Sequence, residues 1–475
     1  MWLLVLLLAA PALGLLNREP PLQASPNRQF RGIPEERWID VRLDQFSTTN
    51  NASFPLRFYY NKLNATDKHM VLFVGGEWSV STNWVTAGFP YDLASIIGAS
   101  MFYPEQRYYG HTRPTADTEV ESLRYLTTDN ALRDLAQFIG YIKSDAFENG
   151  QYKSGKVVLV GCSSAGMKST WLKQMYPHLV DVVVSHSGPL IVKENFPEYL
   201  EVVTTVMRAE GGEACTSSVK QAVNDVIAAT ATFEGRQLIS NMFNTCTILD
   251  SNAPLDLFTL FNDAITYAFS ALVQYAAPGD VAAACKELTD PSIPSAMRRM
   301  ANWVNKNRPN PSKCFETRYM VTVDARRDPS YNSTEKGTRL FAYKWCTEYG
   351  WIQTTDSKAQ IFNNTIPLDF NYDICKDYFT TNINQFRLQQ NIARTHEFFG
   401  GLKHIPQHVI SVQGTADPWH VLGPTRQQNT PTTPVYILEG SAHCRATDAL
   451  NINDSEEMRK VKLQIVDNVK AFLKL

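Results

Sequence analysis

Apolar, β-branched runs alternate with helix-like segments along the first part of the chain. The strand-like runs lie at 69–74, 99–103, 156–160 and 181–186. A helical periodicity from Thr128 to Ser144 separates the second run from the third. Strands that alternate with helices are typical of a mostly parallel sheet with helices on both faces. The pattern therefore predicts an α/β fold.

This alternation stops after Ser187-Gly188-Pro189, and strand-like runs resume only near Val409. The residues between Leu190 and Ser333 have helical patterns instead. A helical insertion between two parts of one sheet is the usual place for a cap domain. We predict four segments: a leader at 1–14, a first core part at 36–190, a helical cap at 191–333 and a second core part at 334–475.

The run Val157–Val160 breaks into a turn of small residues, Gly161-Cys162-Ser163-Ser164-Ala165-Gly166, and a helix-like run follows. Strand, tight turn and helix are the context of a nucleophile elbow, which raises a serine hydroxyl to the top of a sheet. Ser163 takes the position of that serine, and the backbone N–H of Ser164 would face an oxyanion. Turns rich in glycine and serine are common after strands, so this motif alone is weak.

Two later strand-like runs each end in a loop that carries a candidate partner for Ser163. Asp417 follows the run that ends at Gly414, and His443 follows the run Val435–Leu438. A serine hydroxyl needs a base to take its proton and a third group to hold the base. The chain order Ser, Asp, His is the order found with this elbow. Taken singly, Asp417 is a turn residue and His443 a surface histidine, but together the three residues predict a catalytic triad.

An ordered set of further motifs accompanies the triad. They are Arg42–Phe46, Phe58–Asn61, Phe73–Glu77, Glu105–Thr115, Leu123–Thr127, Ala131–Leu135, Cys346–Trp351, Asp417–Trp419 and Ala442–Cys444. Together with the elbow they resemble the prolyl carboxypeptidase, dipeptidyl peptidase II and thymus-specific serine protease family, with the spellings at 346–351 and 442–444 closer to the thymus-specific branch. The resemblance implies an α/β-hydrolase fold with a mostly parallel central sheet and a helical cap. It also implies a serine peptidase that is exopeptidase-like and prefers bonds next to proline.

The same resemblance assigns roles by position. It implies that Ser163 is the nucleophile, Asp417 the orienting acid and His443 the base. The oxyanion hole is then expected from backbone amides of Ser164 on one side and of Gly76 and Glu77 on the other.

Two departures from the family pattern concern the substrate pocket. Ser164 stands where the family usually has tyrosine, and Trp78 stands where it usually has glycine after the glutamate. Glu77, Trp78 and Trp419 are predicted to contact substrate, with Glu77 as the binding group for a peptide's free amine. The simpler alternative for Glu77 is a structural ion pair, for which Arg107 is the candidate partner.

The eight cysteines are too few for a disulfide scaffold. The family resemblance implies three bridges, namely Cys215–Cys285, Cys246–Cys314 and Cys346–Cys375. Cys162 and Cys444 remain, each beside a triad residue, and a free buried thiol is the usual state of a cysteine in a packed turn. No pair or cluster has the spacing of a zinc site, so neither a metal nor another cofactor is predicted.

The chain begins with a short apolar leader, Met1–Gly14, that ends in small residues and is typical of a signal peptide. No later segment has about 18 consecutive apolar residues, so stable membrane insertion is not expected. The sequons that suit a secreted protein are Asn51, Asn64, Asn332, Asn363 and Asn453. These features predict secretion or delivery to the endosomal or lysosomal lumen.

Charge and composition argue against a nucleic-acid partner and against a disordered chain. The net charge of −2 at pH 7 gives no indication of a nucleic-acid partner, and 44% hydrophobic residues exclude wholesale disorder. We predict a serine peptidase that acts on peptide or protein substrates through an acyl-enzyme. An esterase on the same fold and a catalytically silent binding protein, suggested by Trp78 and Ser164, are the alternatives. Whether two monomers pair as a homodimer stays open.

Overall fold

The computed structural model describes residues 19–22, 32–308 and 310–475. The predicted leader at 1–14 lies outside the described residues, so the signal peptide stays a prediction. Within the described part of the chain, every helix is too short or too polar to span a bilayer.

The strands of the described residues form an eight-stranded main sheet and a separate pair. They are β1 (Glu35–Arg42), β2 (Ser53–Asn61), β3 (His69–Phe73), β4 (Ala99–Pro104), β5 (Val157–Cys162), β6 (Val182–His186), β7 (Lys193–Asn195), β8 (Gly350–Ile352), β9 (Val409–Gly414) and β10 (Val435–Leu438). The order in the main sheet is β1-β2-β4-β3-β5-β6-β9-β10, and β7 pairs with β8 apart from it. Neighbours from β4 to β10 run parallel, whereas β2 is antiparallel to both β1 and β4. This arrangement confirms the predicted α/β-hydrolase fold.

Helices connect and follow these strands. In chain order they are α1 (Gly88–Ile97), α2 (Val120–Leu123), α3 (Thr128–Ile142), α4 (Ser164–Met175), α5 (Glu198–Ala229), α6 (Phe233–Phe243), α7 (Pro254–Leu260), α8 (Tyr267–Gln274), α9 (Asp280–Leu288), α10 (Ala296–Asn307), α11 (Tyr319–Arg327), α12 (Lys336–Lys344), α13 (Leu368–Tyr378), α14 (Gln385–Phe399) and α15 (Glu456–Leu473). Turns of π-helix at Phe261–Thr266 and Trp345–Tyr349 follow α7 and α12. α3 begins at Thr128, where the sequence predicts a helix. α4 begins at Ser164, directly after Ser163 and inside the predicted turn of small residues, so this helix starts earlier than predicted.

The strands that carry the site follow from continuous apolar runs. All residues of β5, β6 and β9 are buried, as expected for parallel strands covered on both faces. Val158, Val160 and Val184 share one hydrophobic core with residues of α1 and α15. The sequence pattern did not indicate β1, because only its Ile39 and Val41 are fully buried among charged neighbours.

The chain divides into two compact units. One contains the main sheet and includes the described chain up to Tyr199, together with Arg326–Ile352 and Tyr372–Leu475. The other is helical and includes Leu200–Ala325 and Gln353–Asn371. The four-segment division drawn from the sequence stays a prediction.

Each unit contains its own disulfides. The three bridges implied by the family resemblance are present, namely Cys215–Cys285, Cys246–Cys314 and Cys346–Cys375. The expectation of free thiols at Cys162 and Cys444 was wrong, because these residues form a further bridge. Their sequence separation is 282 residues, and a pair so distant along the chain gives no local signal that it will meet.

Candidate active site

Ser163 lies at a sharp turn between β5 and α4. Its backbone has φ 59° and ψ −132°, and non-glycine residues rarely have a positive φ. The turn demands small neighbours, since a Cβ on Gly161 would lie 2.4 Å from the carbonyl oxygen of Ala165. The Ser163 N–H donates to the backbone oxygen of His186 on β6 at 2.9 Å. Backbone strain held in this way is typical of functional sites, and the geometry fits the predicted elbow.

Asp417 and His443 meet in the loops that follow β9 and β10. His443 Nδ1 lies 2.8 Å from Asp417 Oδ2. Both side chains are buried. The other carboxylate oxygen, Asp417 Oδ1, accepts a hydrogen bond from the backbone N–H of Trp419 at 3.0 Å. Because an ionised carboxylate can only accept, this bond places a ring proton on Nδ1 and makes Nε2 the basic nitrogen. The pair therefore has the arrangement of a base held by an acid.

A disulfide brings this pair to the elbow. Cys162 directly precedes Ser163, Cys444 directly follows His443, and the Cα atoms of the bridged residues are 5.7 Å apart. The two sulfur atoms and a ring nitrogen of His443 lie within 4.8 Å of one another. The structure thus gathers the neighbourhoods of all three predicted triad residues at the carboxyl edge of the parallel strands.

The predicted oxyanion donors lie on α4 and on the loop after β3. Ser164 is the first residue of α4, where backbone N–H groups have no acceptor within the helix. In the other loop, the Gly75 N–H donates to the Pro104 carbonyl oxygen at 3.2 Å. The Gly75 carbonyl oxygen accepts a hydrogen bond from Lys168 Nζ at 2.8 Å. Since Lys168 is part of α4, this bond joins the helix of the elbow to the loop of the second predicted donor.

Trp78 is packed inside the protein. Its side chain is 5% exposed, and its indole N–H donates to the Tyr103 hydroxyl at 2.7 Å. The ring lies against Gly76, where an added Cβ would come within 2.2 Å of it. These contacts favour a structural role in which Trp78 supports the loop. Its contact with substrate stays a prediction.

Glu77 is buried, and its charge acts on two buried lysines, Lys168 and Lys344. Burial lowers the pKa of both lysines, to about 8 for Lys168, and the negative charge of Glu77 opposes that shift. The ion pair expected between Glu77 and Arg107 is absent among the described contacts, since Arg107 pairs with Asp134 at 2.6 Å. The carboxylate of Glu77 therefore has lysines, rather than an arginine, as its positive neighbours.

Trp419 belongs to a group of aromatic rings next to Asp417. Its ring centroid lies 5.3 Å from Trp351, 5.5 Å from Phe196 and 5.7 Å from Tyr199. Ring pairs at these distances are favourable beyond the area that they bury. The group forms an apolar wall beside the proposed acid, and its contact with substrate stays a prediction.

The predicted glycosylation residues are all exposed, namely Asn51, Asn64, Asn332, Asn363 and Asn453. An acceptor asparagine must be accessible, so the structure permits the modification at each position. The modification itself stays a prediction.

Three features of this region have no signal in the sequence. The first is the Cys162–Cys444 bridge. The second is Lys168, which pattern alone would place on the surface of a helix. The third is His186, which is 1% exposed and whose ring nitrogens have no hydrogen-bond partner among the described residues. Each depends on contacts between segments distant in the chain, which local patterns do not record.

This chain is similar to a family of known proteins, to curated relatives and to solved structures. The family model described as serine carboxypeptidase S28 matches residues 41–465. The thymus-specific serine protease of Mus musculus is 25% identical over 93% of this chain and 88% of its own. The lysosomal Pro-X carboxypeptidase of Bos taurus is 24% identical over 98% of this chain and 97% of its own. Among solved structures, the proline iminopeptidase of Mycobacterium smegmatis covers 92% of this chain and 100% of its own, at 12% identity and a TM-score of 0.36.

Proposed function

This chain belongs to the serine carboxypeptidase S28 family and is a serine-type peptidase, and we propose that Ser163, His443 and Asp417 perform its catalysis. The family predicted from the sequence motifs is thereby confirmed. The observation that carries the proposal is the 2.8 Å bond between His443 Nδ1 and Asp417 Oδ2, set beside the elbow by a disulfide. A held base next to a strained serine is the arrangement that activates a hydroxyl.

The proposed reaction proceeds through an acyl-enzyme. Ser163 Oγ attacks the carbonyl carbon of the peptide bond while His443 Nε2 takes its proton. The backbone N–H of Ser164 and an N–H of the loop after β3 would hold the oxyanion. His443 then gives the proton to the leaving amine, and water releases the acyl group by the reverse sequence. Asp417 keeps the ring oriented and stabilises the imidazolium that forms.

We further propose that the enzyme is exopeptidase-like and prefers bonds next to proline. The wall of Phe196, Tyr199, Trp351 and Trp419 supports this preference, because a proline ring packs flat on aromatic faces and its φ is already fixed. The name of the bovine relative, Pro-X carboxypeptidase, agrees with it. An esterase would share the triad, so peptide and ester substrates with the same acyl group distinguish the two.

For Glu77, a structural role fits better than binding of a substrate amine. The charges of Lys168 and Lys344 interact with the charge of Glu77, although Lys344 is paired with Glu348, so a peptide amine would enter a site that already contains positive charge. Peptides with free and with blocked N-termini measure this choice. Equal kcat/KM for the two would support the structural role, and a strong preference for the free amine would support binding.

We also propose that the protein acts in a secreted or endolysosomal setting. The disulfides fit an oxidising compartment, and the sequon asparagines are exposed. Mass spectrometry of these asparagines in native material checks the assignment, which unmodified side chains at all of them would contradict.

Ser163→Ala tests the nucleophile. The change removes one oxygen from the elbow, so the protein should fold while kcat falls by about 10³-fold or more. A fluorophosphonate probe should label the wild type at Ser163 and should not label the variant.

The matched control is Ser164→Ala, which removes the neighbouring hydroxyl but keeps the backbone N–H. Ser164 Oγ is buried without a hydrogen-bond partner among the described residues, so this control should keep its activity and its labelling. Normal turnover by pure Ser163→Ala would contradict the proposal.

A further inference from the structure

The loop that carries His443 has to cross two strands to reach Ser163. Ser163 follows β5 and His443 follows β10, and β6 and β9 lie between these strands in the sheet. Adjacent strands are about 4.8 Å apart, so three steps separate β5 from β10 by roughly 14 Å. The Cα atoms of Cys162 and Cys444 are nevertheless only 5.7 Å apart. The chain after β10 therefore folds back across the edge of the sheet to the elbow.

Hydrogen bonds hold the first half of this loop to the neighbouring loop after β9. The Gly440 N–H donates to Thr415 Oγ1 at 2.8 Å, and the Ala416 N–H donates to the Ser441 carbonyl oxygen at 3.1 Å. Neither bond reaches the elbow. These contacts fix the loop to β9, but they leave the distance between His443 and Ser163 to other contacts.

The second half of the loop is held at the elbow side. The Cys444 N–H donates to Ser187 Oγ at 3.0 Å, and Cys444 is bonded to Cys162. Ser163, Ser187 and Cys444 all have positive φ, at 59°, 51° and 58°. Three non-glycine residues in this sparsely populated region persist only where the surrounding contacts determine them. The bridge joins one of these residues, Cys444, to Cys162, which directly precedes Ser163.

We propose that the Cys162–Cys444 bridge is a positioning element of the catalytic centre, which holds the loop of the base against the elbow of the nucleophile. This inference rests on the proposed roles of Ser163 and His443. In the proposed mechanism the bridge forms no bond to the substrate and acts through the placement of its two neighbours, Ser163 and His443. Its cysteines are 1% and 5% exposed, so it is shielded from solvent and serves as a lasting constraint.

The test compares two variants that each lose one buried bridge. The first is Cys162→Ala with Cys444→Ala, and the control is Cys215→Ala with Cys285→Ala in the helical unit. The readouts are kcat, KM, the melting temperature and the second-order rate constant for fluorophosphonate labelling of folded protein. We expect kcat and the labelling rate of the first variant to fall about 10- to 100-fold, since a small misplacement of a catalytic group costs that much. KM should change by about twofold or less, because the aromatic wall around Trp419 is not altered. The control should keep both rates.

Further measurements keep the inference testable if the first variant does not fold. The pair Cys162→Ser with Cys444→Ser fills more of the space of the sulfur atoms. The wild type can also be treated with dithiothreitol, which is oxidised to its cyclic disulfide as each bridge becomes two thiols. Alkylation and mass mapping then show which bridges have opened. Unchanged kcat and labelling in a molecule that lacks this bridge would overturn the inference. Failure of the intact wild type to label at Ser163 would instead overturn the proposed function.

Discussion

Lys168 is a charged residue that the fold places inside the protein. It is 3% exposed on α4, and its Nζ donates to the Gly75 carbonyl oxygen at 2.8 Å and to the side chain of Gln106. Burial lowers its pKa to about 8, and the charge of Lys344 adds to the shift, while Glu77 opposes it. Lys168 therefore connects the helix of the elbow to the loop that supplies the second predicted oxyanion donor.

Replacement of Lys168 by methionine should slow the chemical step. The methionine side chain is one atom shorter than that of lysine and donates no hydrogen bond, so the loop after β3 loses a contact that fixes its backbone. We expect kcat to fall about tenfold with KM nearly unchanged, as for a loss felt only in the transition state. Lys173→Met is the matched control, because Lys173 lies on the same helix, is also buried and donates to the carbonyl oxygens of Val180 and Asp181. Equal losses in the two variants would contradict a role in the oxyanion loop.

At the scale of single residues, the sequence could nominate Ser163, Asp417 and His443 because each follows a recognisable strand. It could not reveal that Lys168 is buried, since helical lysines are usually solvated. It also could not pair Cys162 with Cys444, because their encounter depends on the order of β5, β6, β9 and β10. Contacts between distant segments determine where a side chain lies. Local sequence patterns indicate only the structure of one segment.

At the scale of elements, the aromatic wall is built by pieces that are distant in the chain. Trp351 lies on β8, Trp419 follows β9, and Phe196 lies just after β7, which pairs with β8. The predicted strands included β9, because its residues form an apolar run, but β7 and β8 are only three residues long each. Strands of that length have too few positions to show a period. Within this group, only Trp419 was predicted from the sequence as a substrate contact, and that contact stays a prediction.

Trp419→Leu should reduce the proposed preference for proline. Leucine keeps an apolar side chain but removes the flat face on which a proline ring can pack. We expect the ratio of kcat/KM for a proline substrate to that for the matching alanine substrate to fall about tenfold, with acylation by a small active ester kept. The matched control is Trp84→Leu, since Trp84 is also fully buried and stacks on Phe73 in the core at 4.5 Å. The control should lower stability without a change in the ratio. A ratio unchanged in both variants would contradict the proposed contact between Trp419 and the substrate.

At the scale of the whole molecule, His186 links the site to stability. It is 1% exposed at the end of β6, where its backbone oxygen accepts the Ser163 N–H. Burial, together with the charge of Lys462, lowers its pKa to about 3. In the unfolded chain its pKa is about 6.5. Between these values the unfolded state binds one proton more than the folded state, so the free energy of unfolding falls as the pH falls, by about 1.4 kcal/mol for each pH unit.

This pH dependence is relevant to the proposed endolysosomal setting. At a pH of about 5, His186 alone would lower the free energy of unfolding by roughly 2 kcal/mol. His186→Gln should remove that cost, since glutamine does not titrate. We expect the variant to be less stable than the wild type near pH 7, where it loses packing against Phe89, and to close the gap as the pH falls towards 5. Urea unfolding at several pH values, with the disulfides intact, measures the difference. His178→Gln, the same change at an exposed residue, tests whether the slope comes from burial. A difference between wild type and His186→Gln that is the same from pH 7 to pH 5 would show that His186 has nearly the same pKa in the folded and unfolded states, which would contradict the prediction.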